Sequence, residues 1–129
     1  MTLHYTIPLP PITKKNHQQI LTNHRTGKPF IAQSNTYKRY AKDCAWFLRP
    51  VPKAPISVPV EVVELFYMPT RRKVDLTNLQ AAADDILVEN KIIADDNSQI
   101  IVSHDGSRVL YDKDRPRTEI TITEVDHGF

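Results

Sequence analysis

Leu3, Tyr5, Ile7 and Leu9 alternate with polar residues, a period of two that predicts a β-strand, and Pro8, Pro10 and Pro11 stop it. Ile12 to Gln33 mixes Lys, Asn, His, Thr, Gly27 and Pro29 and reads as a long polar loop. Helical spacing then takes over. Ser34 or Asn35 supplies a cap, Tyr37, Tyr40, Ala41, Cys44, Phe47 and Leu48 form the apolar stripe, and Pro50 ends the run. The tyrosines and Trp46 are expected in the core rather than as platforms for base stacking. Ile56, Val58, Val60, Val62, Phe66 and Met68 alternate as a long strand, with Pro59 suggesting an edge position or a bulge. Glu64 falls on the apolar face of that strand, either as a satisfied core carboxylate or as a neighbour of a site.

A second helix is expected from Asp75, with Leu76, Leu79, Ala83, Ile86 and Leu87 as its stripe. Gln99 to Ser103 reads as a strand, Asp105-Gly106 as a two-residue hairpin turn, and Ser107 to Tyr111 as its antiparallel return. Thr118 to Val125 alternates once more, with Ile120 and Ile122 on one face. The order β-α-β-α-β-β-β predicts an α/β fold in a single compact domain, residues 1–129, with a mixed β-sheet and two main helices.

Composition narrows the class without choosing the chemistry. A chain of 129 residues suits one core. It carries no apolar run of membrane-spanning length and no signal-peptide pattern, so the expectation is a soluble, cytoplasmic protein without a membrane partner. Cys44 is the sole cysteine, which excludes an internal disulfide and a cysteine-rich zinc site. There is no glycine-rich phosphate loop, so no nucleotide cofactor is expected. The formal net charge is only +2. Yet basic residues cluster at Lys14-Lys15, at Lys38-Arg39-Lys42 and at Arg71-Arg72-Lys73. Each alone is an ordinary solvated face, whereas three of them beside a carboxylate motif point to a polyanion. His4, His17, His24, His104 and His127 show no ligand spacing. His104, beside Asp105, reads as turn-flanking polar surface, with a proton shuttle as the alternative.

Two segments carry candidate chemistry: Arg71-Arg72-Lys73-Val74-Asp75-Leu76-Thr77-Asn78-Leu79 and Ala94-Asp95-Asp96-Asn97-Ser98. At about 100° per residue, Asn78 and Asp85 lie within roughly 80° of Asp75 around the helix axis, so oxygen donors line one edge of a rigid helix. Asp95-Asp96 falls in the link that follows and can fold back toward it. Clustered carboxylates repel one another without a cation. Mg²⁺, with Mn²⁺ as a substitute, prefers such hard oxygen donors. It would polarise a phosphate and activate a water. The adjoining basic residues would draw in a DNA backbone that carboxylates alone repel. Taken singly, Asp75 is more often a helix cap, Asp84 and Asp85 surface charge, and Asp95-Asp96-Asn97-Ser98 a turn.

These same residues resemble the signature of RusA-type Holliday junction resolvases, many of them from phages and prophages. That family shows an Asp-x-Asp-Asn helix start and a downstream Asp-Asp. Pro10-Pro11-Ile12-Thr13-Lys14-Lys15-Asn16 resembles its N-terminal loop. Asp105-Gly106-Ser107-Arg108 and Arg115 to Ile120 resemble its C-terminal hairpin. The resemblance implies a homodimeric, Mg²⁺-dependent endonuclease that acts on four-way DNA junctions in recombination and repair. It puts the catalytic set on Asp75, Asn78, Asp85 and Asp96, and metal ligation on Asp75, Asp96, Asp95 and Asp85. DNA contacts fall to Lys14, Lys15, Asn16, Arg71, Arg72 and Lys73. It also implies a bacterial host cell. Two departures stand out. The family's second motif aspartate is Thr77 here, and a lysine one turn later is Ala81. Asp85 or Asp95 is expected to complete the ligand set, and Lys73, Lys91 or Arg108 to replace the cation. The competing readings are a junction-binding protein with little or no catalysis and a non-enzymatic assembly protein.

Overall fold

Alternate residues of the first strand, Tyr5 and Ile7, are buried, and the polar residues between them are exposed. The computed structural model describes residues 1–14, 18–33 and 35–128, with the backbone alone at 18–21 and 30–33. The elements are β1 (Thr2–Ile7), β2 (Gln18–Thr22), β3 (Pro29–Gln33), α1 (Asn35–Cys44), a 3-10 turn (Ala45–Phe47), β4 (Val60–Met68), α2 (Leu76–Glu89), β5 (Ile101–Ser103), β6 (Arg108–Tyr111) and β7 (Arg117–Glu124).

The main sheet runs β1-β7-β4, with β5 and β6 both on the far edge of β4. β7 is antiparallel to β1 and to β4, while β5 and β6 are parallel to β4, so the sheet is mixed as expected. Its inner face presents Val60, Val62 and Phe66 of β4 and Ile120 and Ile122 of β7, all buried. The helices cover that face. α1 contributes Tyr37, Tyr40 and Cys44 to the main core, and α2 contributes Ala82, Ile86 and Leu87. Leu79 and Ala83 of α2 form a second cluster with Phe66.

Four expectations are corrected. The stretch 12–33 is not a featureless loop but holds the antiparallel hairpin β2–β3, paired from Gln18↔Gln33 to Thr22↔Pro29. Its turn is closed by Asn23, whose side-chain oxygen accepts from the Arg25 amide, and by Gly27 at φ +70°, where a side chain is disfavoured. The 105–106 turn does not reverse the chain. Val60 pairs with Ile101 and Leu65 with Arg108, both parallel, so β5 and β6 are two pieces of one interrupted edge strand. The His104 carbonyl accepts from the Ser107 amide across the detour, and Gly106 takes φ +92°. Pro59 does not lie in an edge strand but stands next to a register shift, at Val60/Glu61, where β4 pairs with β5. It precedes β4, a central strand, so its missing N–H falls outside the ladder. Trp46 is 70% exposed rather than in the core. α1 tightens after Cys44 into a 3-10 turn of about three residues per turn, which rotates the next side chains off the apolar stripe. Ser34, one of the two expected caps, lies outside the described residues.

Two features position the acidic link after α2. Lys91 takes a left-handed conformation at φ 62°. The Ile92 and Lys91 amides donate to the Leu87 and Val88 carbonyls at 3.0 and 3.1 Å, closing the helix in a Schellman motif. Ile92 and Ile93 then enter the core, and Ile56 bridges to Ile93 in parallel. The chain therefore leaves the core at Ala94 on a fixed stem and presents Asp95 and Asp96 on the surface.

Candidate active site

Asp75 is the residue before α2, with extended φ −83° and ψ 121°, yet its carboxylate makes no cap hydrogen bond to the helix backbone. It accepts instead from the Asn78 side-chain amide at 3.1 Å. Both side chains face the same edge of the helix start, as a spacing of three residues requires. Thr77 and Ala81 are exposed beside them.

Further along α2, Asp85 is half-buried and ion-paired with Lys14 of the N-terminal loop. The Lys14 ammonium also lies 5.8 Å from the centre of the Tyr37 ring. Among the described residues, no ion pair joins Lys73, Lys91 or Arg108 to these carboxylates, so the cation brought to them is Lys14. Lys15 and Asn16 lie outside the described residues.

The link carries its two aspartates in different states. Asp95 is committed to the turn. One oxygen accepts from the Asp96 amide at 2.8 Å, the other from the Asn97 side chain at 3.0 Å. These donors hold its carboxyl below the usual range. Asp96 is pushed the other way, by partial burial and then by Asp95 and Asp85. Like charge is thus a minor part of the Asp96 shift, the part that a bound cation would offset.

The basic loop borders this edge. Arg71, Arg72 and Lys73 are exposed. The Arg71 guanidinium stacks 4.2 Å from the Tyr111 ring centre, which ties the loop to β6. A cleft of about 430 Å³ lies on one side, with Ile12, Thr13, Arg72, Lys73 and Leu79 among its walls. A groove of about 380 Å³ lies on the other, lined in part by Arg71, Arg72 and Tyr111.

A second group is hidden from sequence reasoning. Glu64 of β4 is fully buried, Asp84 of α2 is 7% exposed, and His104 follows β5. Their ligand atoms lie within 4.8 Å of one another. Among the described residues this is the one such grouping of three, so Asp75, Asp85, Asp95 and Asp96 are not drawn into a comparable cluster. The His104 Nε2 lies 2.8 Å from Asp84 Oδ2, and its Nδ1 lies 2.9 Å from the Val62 carbonyl. Burial and the Asp84 carboxylate push Glu64 well above the usual carboxylate range. Burial pulls His104 down, but Asp84 outweighs it and the net shift is upward. Asp84 is therefore not surface charge, and His104 is not merely turn-flanking surface. The available signals were Glu64 on an apolar strand face and Asp84 about 60° from Leu87 on α2. A carboxylate on a buried face requires a partner.

Fold and site describe a small α/β protein whose acidic helix edge adjoins a basic loop. The sequence matches the family profile of Endodeoxyribonuclease RusA over residues 8–123, and the chain belongs to that family of endodeoxyribonucleases. No curated protein sequence matches it. Among the described residues, no helix is long and apolar enough to cross a membrane.

Proposed function

We propose that residues 1–129 form one Mg²⁺-dependent endonuclease domain that resolves four-way (Holliday) DNA junctions as a homodimer, in recombination and repair. Membership of the endodeoxyribonuclease RusA family carries the reading. Support from the chain's own groups comes from Asp75, which stands at a helix cap but does not cap.

The donors suit a hard divalent cation in kind, being carboxylate oxygens that the ion would have to draw together, and burial followed by Asp95 and Asp85 raises the proton affinity of Asp96. Asp75 and Asp96 would hold the ion, with Asp85 completing the set. Asp95 is the weaker candidate because both its oxygens already serve the turn. Once bound, Mg²⁺ (or Mn²⁺) supplies Lewis acidity to the phosphate and a water of lowered pKa. Asn78 orients Asp75 through their hydrogen bond. Lys14 neutralises Asp85 in the free protein and is released toward phosphate when DNA arrives. Arg71, Arg72 and Lys73, together with Lys15 and Asn16, position the backbone without reading sequence.

The test is incubation of a synthetic four-way junction with the full chain in Mg²⁺ and in chelator. Paired symmetric nicks in Mg²⁺ alone support the reading. Tight binding without nicks in either buffer favours a junction-binding protein weakened at Thr77, and neither binding nor nicks favours an assembly role.

A further inference from the structure

Glu64, Asp84 and His104 take no part in the proposed cleavage, and they do not form a satisfied core network. Glu64 has no exposed surface, yet neither of its side-chain oxygens has a hydrogen-bond partner. Asp84 Oδ1 is likewise buried and unpartnered. Buried polar atoms are left without partners only rarely, and an unpartnered buried carboxylate is the costliest kind.

The three side chains come from three elements that converge here: β4, α2 and the turn between β5 and β6. The Val62 carbonyl accepts from the His104 Nδ1–H, so Nε2, which shares a proton with Asp84, is the nitrogen that would exchange that proton for a metal ion. A backbone carbonyl that sets the tautomer in this way is the usual support of a metal-binding histidine. Two carboxylates and a neutral imidazole sum to a charge of −2, which a divalent cation cancels. Tetrahedral ligation at about 2.0–2.2 Å places donors about 3.4 Å apart. His104 Nε2 lies 2.8 Å from Asp84 Oδ2, and all donors lie within 4.8 Å, so side-chain rotation closes the set. The imidazole favours a borderline ion over Mg²⁺. A quarter of the His104 side chain is exposed, which gives the ion an entry point.

We propose that Glu64, Asp84 and His104 form a second metal site, separate from the junction-cleaving carboxylates, that takes a borderline divalent transition ion such as Zn²⁺ and fastens α2 to the sheet edge. Asp84 and Asp85 are consecutive, so they point about 100° apart around α2. One helix thereby serves both sites, and the inner ion holds the outer donors in place.

The test is calorimetric titration of Zn²⁺ into chelator-stripped, dialysed full-length protein, with millimolar Mg²⁺ present to occupy the exposed carboxylates. One Zn²⁺ should bind per chain and raise Tm by several degrees. Glu64→Gln and His104→Gln should each weaken binding by more than about tenfold, since even supporting residues contribute that much. Asp75→Asn and Asp96→Asn should leave it unchanged. If Glu64→Gln does not fold, His104→Gln, at the partly exposed end, carries the comparison. Absence of Zn²⁺ binding by the wild type overturns the proposal. So does Zn²⁺ binding that survives His104→Gln or is lost in Asp75→Asn.

Discussion

Thr77 is, with Ala81, one of the two positions at which the resemblance to the family implies a departure, and it offers only a neutral hydroxyl where that resemblance leads one to expect a carboxylate. The missing charge has to come from a neighbour, because a hard cation needs anionic oxygen to displace bulk water. Asp85 is the better source. It lies near enough to Asp96 to raise that group's proton affinity, while Asp95 is spent on its own turn. Junction cleavage by Asp85→Asn should therefore fall by at least about tenfold, and Asp95→Asn should cut more nearly as the wild type does. Thr77→Asp should gain little if the native set is complete. Parallel Mg²⁺ titrations of the three variants decide it: full activity in Asp85→Asn, or a large gain in Thr77→Asp, contradicts the assignment. Asp75, Asn78 and the Asp95-Asp96 pair are legible in the sequence because they sit in contiguous segments with a recognisable spacing. Glu64, Asp84 and His104 are not, because 20 residues separate each from the next and only the folding of β4 against α2 brings them together.

At the scale of elements, the loop from Arg71 to Lys73 joins the central strand β4 to α2 and lies between two clefts. Its charges are exposed and, apart from the Arg71–Tyr111 stack, free to meet phosphate. Alanine at Arg71, Arg72 and Lys73 together should lower the slope of log binding constant against log salt by about 3, roughly one for each phosphate no longer neutralised. An unchanged slope removes this loop from the DNA surface. Strong periodicity makes β1, α1, α2 and β7 legible in the sequence. The β2–β3 hairpin is not, because Gln18-Gln19-Ile20-Leu21-Thr22 has no clean alternation, and a two-stranded hairpin outside the main sheet needs none. The direction of β6 escapes the sequence for another reason. Asp105-Gly106 specifies a tight turn, but pairing with β4 on the same edge, secured by the Ser107 hydroxyl accepting from the Glu64 amide at 2.9 Å, decides where the chain goes next.

For the whole molecule, one chain supplies one acidic edge, whereas a four-way junction presents two equivalent strands. Symmetric nicking requires two sites related by a two-fold axis. Light scattering at micromolar concentration should give twice the mass of 14.8 kDa. A monomer at that concentration speaks against paired cleavage. The central claim, that Asp75 holds chemistry rather than helix structure, is tested most directly by Asp75→Asn on a four-way junction in Mg²⁺, with binding and nicking read from the same samples. The account predicts junction affinity within about twofold of wild type, because the basic loop is intact, and nicking reduced by at least about a hundredfold, the loss of a few kcal/mol of metal-dependent stabilisation. Nicking at the wild-type rate would make Asp75 a structural residue and contradict the site.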